Sequence, residues 1–183
     1  MRALIQRVSS AYVEYRDPNR LSSEGVNPLL LHATPSDKLF FNASHGGPPP
    51  PAIEKGLVIL AGFEREDTLV CIEQMLQKIK NLRLFSDGMS EGKLDLPCAE
   101  VAGQCLLVSQ VTLYADCKYG NRPSFERAAQ KSKAKEYYEH FVLTATRIMG
   151  SDFVKHTPFG SELLLHLTND GPVTIWLDSH MVL

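Results

Sequence analysis

The sequence lacks the patterns that define several large functional classes. Its 183 residues carry a net charge of −2, so no overall basic field points to nucleic acid, although a protein that grips only an RNA end needs none. No apolar run approaches the roughly 20 residues of a membrane span. The first seven residues alternate in character and lack the apolar core of a signal peptide. We therefore expect a cytoplasmic protein, with no membrane or DNA partner.

Close metal-ligand pairs and the usual hydrolase motifs are also missing. The four cysteines, Cys71, Cys98, Cys105 and Cys117, form no CxxC pair and have no partnered histidine spacing. This pattern favours free thiols in a reducing compartment, with no metal and no cofactor. The chain has no GxSxG motif and no evident Ser-His-Asp set, which argues against an ordinary triad hydrolase.

The patterns that are present predict a single α+β domain over residues 1–183. With 44% apolar and 22% charged residues, the composition is ordinary for a globular protein with a real core. Strands outnumber helices and the two do not alternate regularly, which favours mostly antiparallel or mixed sheets with two main helices. The predicted strands are 3–12, 56–62, 82–85, 104–113, 162–168 and 173–177. The predicted helices run from a cap at Asp67 to about Lys80 and from a cap at Ser132 to Met149.

One segment, residues 15–52, interrupts this pattern. It contains Gly46-Gly47 and four successive prolines, Pro48 to Pro51, which favour an extended polyproline II stretch. We interpret it as a loop insertion within the first β-hairpin rather than a separate domain. Loops of this length are either functional or disordered, and the sequence leaves both open.

Two polar clusters stand in segments that otherwise have the pattern of buried strands: 109–113 and 169–174. Buried strands are normally filled by Val, Leu and Ile, and local rules tend to break at functional sites. Ser109, Gln110 and Thr112 supply two hydroxyls and an amide, and period-2 alternation would put Gln110 and Thr112 on one face. They are candidate groups for binding a reacting ester. The alternative is that they only satisfy neighbouring backbone atoms.

Several motifs in order resemble those of the D-aminoacyl-tRNA deacylase family. They are ALIQRV at 3–8, LFSD at 84–87, SQVTLYAD at 109–116, GNRPSF at 120–125 and NDGPVT at 169–174. Any one of these would be weak evidence, but together they cover nearly the whole chain apart from 15–52. The fold implied by the resemblance is the α+β fold of that family.

The resemblance also implies a mechanism and a partner. In that family a Gly-Pro turn of each subunit of a homodimer enters the partner's active site, where its backbone rejects L-amino acids. By analogy, Gly171 and Pro172 would admit D-residues and glycine. The substrate would be a D-aminoacyl ester on the terminal adenosine of tRNA, whose 2′-hydroxyl assists hydrolysis. The reaction would release free tRNA and the D-amino acid, as proofreading in translation.

The resemblance assigns roles within the first cluster. Gln110 and the amides around Val111 and Thr112 would orient and stabilise the ester carbonyl. Thr112 as a covalent nucleophile is the competing view, although no base lies beside it in sequence. Val111 replaces a Phe common in the family, and Phe159, in a Phe-Gly stretch resembling the family's, is the candidate to line the pocket instead. An ordinary core aromatic is the alternative for Phe159.

Three basic residues are candidates for tRNA contacts. Lys118 and Arg122 lie in a loop before a helix and could meet phosphates, with solvated loop charges as the alternative. Arg7 on the first strand is similar, with a structural ion pair as its alternative. A second function class also stays open: a catalytically silent RNA-end binder, or an interaction protein that uses the insertion as its docking surface.

Overall fold

The computed structural model describes residues 1–15, 50–88 and 93–182. In chain order its strands are β1 (Arg2–Tyr15), β2 (Ala52–Ile53), β3 (Gly56–Gly62), β4 (Arg83–Phe85), β5 (Leu96–Pro97), β6 (Gln104–Ser109), β7 (Val154–His156) and β8 (Leu163–Asp178). Its helices are α1 (Leu69–Asn81), α2 (Lys131–Met149) and the four-residue α3 (Ser179–Val182), and two 3-10 turns span Cys98–Val101 and Val111–Tyr114.

Six strands form one mixed sheet around the long β1. β1 pairs antiparallel with β2 and β3 on one side and with β8 on the other, while β3, β6 and β7 run parallel. β4 and β5 form a separate two-stranded sheet. The register between β1 and β8 shifts twice between Gln6 and Ser10, and such bulges bend a strand. This mixed, mainly strand architecture with two main helices confirms the expected α+β class.

The central strands are buried on both faces, which explains their continuous apolar sequences. In β3, Leu57, Ile59 and Ala61 belong to the larger core, which includes the buried faces of α1 and α2. Val58 faces the other way, into a second cluster that also holds Leu106 and is covered in part by the leucines that begin β8. The end of β6 therefore stands on a rigid two-sided core.

Both helices begin differently from the sequence prediction. Thr68 caps α1, since its hydroxyl accepts a hydrogen bond from the Cys71 amide at 3.1 Å. Asp67 instead accepts from the Glu64 amide at 2.8 Å and from the buried α-amino group of Met1. For α2, the prediction of a Ser132 cap is wrong: Gln130 is the cap residue, and its side chain makes no capping bond.

The two C-terminal strands predicted around Gly171-Pro172 are one continuous strand, β8. Its pairing with β1 passes over the Gly-Pro segment because the bulges absorb the irregularity. The predicted insertion at 15–52 lies almost entirely outside the described residues; at its flanks, β2 pairs with β1, with Ala11 opposite Ile53. Among the described residues, no helix is both long and apolar enough to cross a membrane.

Candidate active site

The predicted central strand 104–113 ends early, and this changes the geometry of its polar residues. β6 stops at Ser109, and Val111–Tyr114 forms a 3-10 turn. The period-2 argument for Gln110 and Thr112 is therefore wrong. The two side chains meet all the same, because the turn brings them together and the Gln110 Nε2 group donates to the Thr112 hydroxyl.

A glycine on the neighbouring strand allows this turn to pack against the sheet. A Cβ built on Gly62 would lie 2.9 Å from the Gln110 carbonyl oxygen and 3.2 Å from Leu113 Cβ. The backbone amide of Gln110 donates to the Ala61 carbonyl at 2.8 Å and fixes the start of the turn. Gly62 is thus a site residue that sequence reasoning missed. Its position at the end of a glycine-bounded buried strand was the available signal.

Arg2 holds the far end of the turn. Its Nη1 group donates to the Leu113 carbonyl at 2.9 Å and its Nε group to Asp178 at 2.8 Å, while the guanidinium lies 4.5 Å from the Tyr114 ring centre. Burial, with the nearby carboxylate of Asp67, raises the pKa of the Tyr114 hydroxyl well above its usual range, so Tyr114 is a neutral packing group. Sequence reasoning also missed Arg2, whose role depends on contacts distant in the chain.

The two backbone amides at the start of the turn make no hydrogen bond to any described residue. The Leu113 amide donates to the Gln110 carbonyl at 3.4 Å, closing the first bond of the turn. The preceding amides of Val111 and Thr112 have no earlier carbonyl of the turn to accept from them. Val111 is 54% exposed and Thr112 is also exposed. The turn therefore places two exposed residues, with backbone amides that are candidate donors, at the end of β6.

Ser109 and Phe159 are joined by a neighbouring loop. The Ser109 hydroxyl accepts from the Gly160 amide at 3.1 Å. The Phe159 ring is half-buried and lies 5.9 Å from the ring of Tyr138, which belongs to the larger core. Ser109 thus anchors the loop that carries Phe159 beside the end of β6. The structure shows core packing for Phe159 and leaves part of its ring exposed.

The Gly171-Pro172 segment projects from the middle of β8. Both residues are exposed, and the peptide bond between them is cis. Gly171 has a φ of 114°, and a Cβ there would lie 2.7 Å from Arg7 Nη2 and 3.0 Å from Val173 Cγ2. The backbone conformation therefore favours glycine, and a side chain here would also force the Arg7 guanidinium to move.

Two polar side chains, Arg7 and Asn169, fasten this segment at its base. Arg7 donates to the carbonyls of Asp170 at 3.2 Å and Leu84 at 2.6 Å, and pairs with the Asp170 carboxylate at 3.3 Å. The Asn169 Nδ2 group donates to Gln6 Oε1 at 2.8 Å and to the Thr174 hydroxyl at 3.2 Å. Arg7, whose side chain is only 12% exposed, thus braces the segment.

The other two basic candidates lie in an exposed loop. Backbone hydrogen bonds between Asp116 and Ser124, at 2.8 and 2.9 Å, close this loop. Lys118 lies 5.0 Å from the Tyr119 ring centre, and Arg122 is exposed. Both cations are accessible to a ligand, in contrast to Arg7.

The structure brings some of the predicted site residues together and leaves others apart. Gln110 and Thr112 touch, and Ser109 reaches the Phe159 loop. Within one chain, no hydrogen bond between described residues links Gly171 or Pro172 to Gln110 or Thr112. The described residues also contain no group of three or more His, Cys, Asp or Glu side chains arranged to hold a metal ion.

Comparison with known proteins places this chain in a family. Residues 49–178 match the family model for D-Tyr-tRNA(Tyr) deacylase. A D-aminoacyl-tRNA deacylase of Thermosipho melanesiensis is 42% identical over 182 residues, covering 100% of this chain and 99% of that protein. The chain belongs to the D-aminoacyl-tRNA deacylase family. The family and the enzyme class expected from the motifs are thereby confirmed.

Further members and solved structures agree with this placement. The D-aminoacyl-tRNA deacylase of Kosmotoga olearia is 46% identical over 127 residues, covering 69% of this chain and 82% of its own. A structure described as c-Myc DNA unwinding element binding protein has a TM-score of 0.75 and 30% identity, with 97% of this chain and 98% of that chain covered. A probable eukaryotic D-amino acid tRNA deacylase, 14% identical, shares the fold, with a TM-score of 0.67 and coverage of 97% and 98%.

Proposed function

We propose that this member of the deacylase family hydrolyses the ester between a D-amino acid, or glycine, and the terminal adenosine of tRNA. It would act as a homodimer in the cytoplasm, as proofreading in translation. Family membership supports the reaction class. The contacts around Thr112 and Gly171 support the separate roles of the substrate, the turn and the Gly-Pro segment in the reaction.

The observation that carries the mechanism is the hydrogen bond from Gln110 to Thr112. The Thr112 hydroxyl accepts a hydrogen bond from the neutral side-chain amide of Gln110, and no carboxylate or imidazole among the described residues is hydrogen-bonded to it. A threonine nucleophile needs an adjacent base to remove its proton. The protein therefore leaves activation to a group of the substrate, and the neighbouring 2′-hydroxyl of the terminal adenosine is the nearest one available.

The protein's part is to orient and polarise the ester. The amides of Val111 and Thr112, at the start of the 3-10 turn, would donate to the carbonyl oxygen as negative charge develops on it. Gln110, held by the Thr112 hydroxyl and by its own backbone bond to Ala61, keeps the turn in place. Ser109 contributes by anchoring the loop of the half-buried Phe159, whose ring would pack on the adenosine in place of the family's aromatic at Val111.

Selection by chirality would come from Gly171 and Pro172 of the partner subunit. Both are exposed on one protomer, and Arg7 and Asn169 fasten their base, so the segment is a rigid projection that suits insertion into another chain. A filter made of backbone rejects a side chain in the L configuration by steric overlap. Glycine has no side chain, so such a filter cannot reject it.

Exposed cations beside the turn would receive the RNA. Lys118 and Arg122 would contact tRNA phosphates and fix the register of the acceptor end. Arg7 was a third candidate, but its guanidinium already binds Leu84 and Asp170. We assign Arg7 to bracing of the Gly-Pro segment, and a phosphate contact would be secondary.

The test is hydrolysis of matched substrates: D-Tyr-tRNA, L-Tyr-tRNA and Gly-tRNA at equal concentration. We expect release of D-tyrosine and glycine, with L-Tyr-tRNA decaying at its uncatalysed rate. Equal hydrolysis of the D and L esters would contradict the filter. Charge-removing variants Lys118→Ala and Arg122→Ala should raise KM more than they lower kcat if they bind phosphate.

One observation favours a second function, nucleic-acid binding without turnover. The structural neighbour at 30% identity is named for binding a DNA element. The same experiment separates the two functions. Binding of tRNA with no ester hydrolysis of any of the three substrates would support the silent binder.

A further inference from the structure

Two thiols outside the candidate active site lie against each other beneath the sheet. Cys98 begins the first 3-10 turn and Cys105 lies in β6. The chain reverses between them: Ala102 adopts a left-handed conformation with a φ of 51°, and the Gly103 amide donates to the Cys98 carbonyl at 2.9 Å. The Cys98 S–H group donates to the Gln104 carbonyl oxygen at 3.9 Å, and Cys98 and Cys105 interact through their thiols.

The two thiols of the pair are not equivalent. The hydrogen bond from Cys105 lowers the pKa of Cys98, against the opposing effect of burial and with help from the charge of Lys55. The same hydrogen bond, together with burial, raises the pKa of Cys105 well above its usual range. Cys105 is therefore the proton donor and Cys98 the acceptor. Loss of the proton, which gives the nucleophilic thiolate, is therefore easier at Cys98 than at Cys105.

A cavity gives small molecules access to the pair. It has a volume of about 210 Å³, is lined by both Cys98 and Cys105, and is otherwise mainly apolar, with Leu57, Met149 and Phe153 among its walls. A water molecule occupies roughly 30 Å³ of liquid, so a peroxide fits with room to spare. Neither other cysteine has this setting. Cys71 Sγ lies 3.6 Å from the Asp67 carboxylate, and Cys117 is exposed on the surface.

We propose that Cys98 is an oxidant-reactive site for small peroxides, with Cys105 as its resolving thiol. The Cys98 thiol first loses its proton to solvent, and the thiolate then attacks one oxygen of hydrogen peroxide. The O–O bond breaks, Cys98 becomes the sulfenic acid, and the leaving hydroxide takes a proton from solvent to form water. Cys105 then attacks the resulting sulfenic sulfur, the S–O bond breaks, and the Cys105 proton leaves with the hydroxyl as a second water. The two thiols lose two electrons and become a disulfide. This proposal does not depend on the proposed function.

Peptide mapping tests the site without altering either thiol. Full-length Cys117→Ser protein is treated with hydrogen peroxide, alkylated, and cleaved with trypsin and then with a Glu-specific protease. Cleavage after Glu100 separates Cys98, in peptide 94–100, from Cys105, in peptide 101–118. We expect the two peptides to stay linked, two hydrogen atoms lighter than their sum, until a reductant is added. Recovery of both as separate alkylated peptides would overturn the proposal.

The order of the two steps has its own test. In Cys105→Ser protein the sulfenic acid cannot be resolved, so dimedone should label Cys98 during oxidation. In Cys98→Ser protein, Cys105 should be labelled at least about tenfold less, because less of it is thiolate. Equal labelling, or stronger labelling of Cys105, would contradict the assigned roles. Thermal unfolding of each variant before oxidation establishes that the two compared proteins are folded.

Discussion

At the scale of single residues, the main mechanistic question is whether Thr112 is a positioning residue or a nucleophile. Its hydroxyl accepts the Gln110 amide and so helps to hold the turn. Removal of a positioning contact lowers kcat far less than removal of a nucleophile does. Loss of the nucleophile in a hydrolase lowers kcat by about a millionfold. The identity of the residue alone does not separate the two roles, but the size of the effect does.

We expect Thr112→Ala to lower kcat by less than roughly a hundredfold, because it removes a contact that holds the turn, whereas loss of a donor to the reacting carbonyl lowers kcat by about a hundred- to a thousandfold. Thr112→Ser, which keeps the hydroxyl, should lie between this variant and the wild type. Single-turnover hydrolysis of D-Tyr-tRNA measures both. Complete loss of turnover in Thr112→Ala, with tRNA binding intact, would assign the nucleophile to Thr112.

Gly171 and Gly88 offer a matched pair of glycines. Both have positive φ, 114° and 77°, but a Cβ at Gly88 would meet no described residue within 4 Å, whereas at Gly171 it would displace the Arg7 guanidinium. Gly171→Ala should therefore lower the free energy of unfolding by about 1 kcal/mol more than Gly88→Ala, through the lost Arg7 hydrogen bonds. Urea unfolding measures the difference.

The same pair tests the filter. Gly171→Ala should reduce the ratio of kcat/KM for D-Tyr-tRNA over L-Tyr-tRNA, while Gly88→Ala leaves that ratio unchanged. An unchanged ratio in Gly171→Ala protein that is fully folded would remove Gly171 from the selection of chirality.

At the scale of elements, helix capping distinguishes α1 from α2. The Thr68 hydroxyl caps α1, and no side chain caps α2 at Gln130. Thr68→Ala should cost about 1 kcal/mol of stability, which is a fall in Tm of roughly 2–4 °C for a chain of this size. Gln130→Ala should leave Tm nearly unchanged. Equal falls in Tm for the two substitutions would contradict the stabilisation of α1 by the Thr68 cap.

The elements also show how far the sequence could predict the structure. The continuous apolar pattern of 56–62 predicted β3 correctly. The helical stripe predicted a buried face of α1 made of Leu69, Ile72, Met75, Leu76 and Ile79; the last four are buried, but Leu69 is 40% exposed, so the prediction is wrong for that residue. Such patterns follow from burial, which sets the period of apolar residues directly. The motifs then identified the family, because their order along the chain is specific.

The features that the sequence did not predict depend on contacts between residues far apart in the chain. β6 ends at Ser109 because the chain turns over Gly62, which no local pattern around residue 110 reveals. Asp67 has the right type and place for a cap but is drawn to the buried amino group of Met1, 66 residues away in sequence. Arg2 and Arg7 act through carbonyls on other strands. Local rules could not have assigned these partners.

At the scale of the whole molecule, buried carboxylates couple stability to pH. Burial alone would raise the pKa of Glu64, but hydrogen bonds from His180 and Arg127 outweigh it and lower the pKa from 4.5. Asp178 behaves likewise. Burial alone would raise its pKa, but hydrogen bonds from Arg2 and the His180 amide outweigh burial and lower the pKa from 3.8. Their stabilising contribution is therefore complete above these unfolded-state values and is lost as the pH falls through the lower folded-state values.

We expect the free energy of unfolding to fall as the pH drops from about 5 towards 3. Glu64→Gln should make this dependence shallower, because one linked carboxylate is gone. Glu126→Gln, at an exposed position, serves as the control and should leave the slope unchanged. Urea unfolding across this pH range measures all three proteins, and identical slopes for Glu64→Gln and the wild type would contradict the linkage.

The most direct test of the central claim is hydrolysis of D-Tyr-tRNA whose terminal adenosine lacks the 2′-hydroxyl and carries the amino acid on its 3′-oxygen. The account assigns activation to that hydroxyl and only orientation to the turn at residues 110–114. It therefore predicts that the wild-type protein binds the deoxy substrate but hydrolyses it at least about a hundredfold more slowly than ordinary D-Tyr-tRNA. Equal rates on the two substrates would place the activating group in the protein and contradict the account.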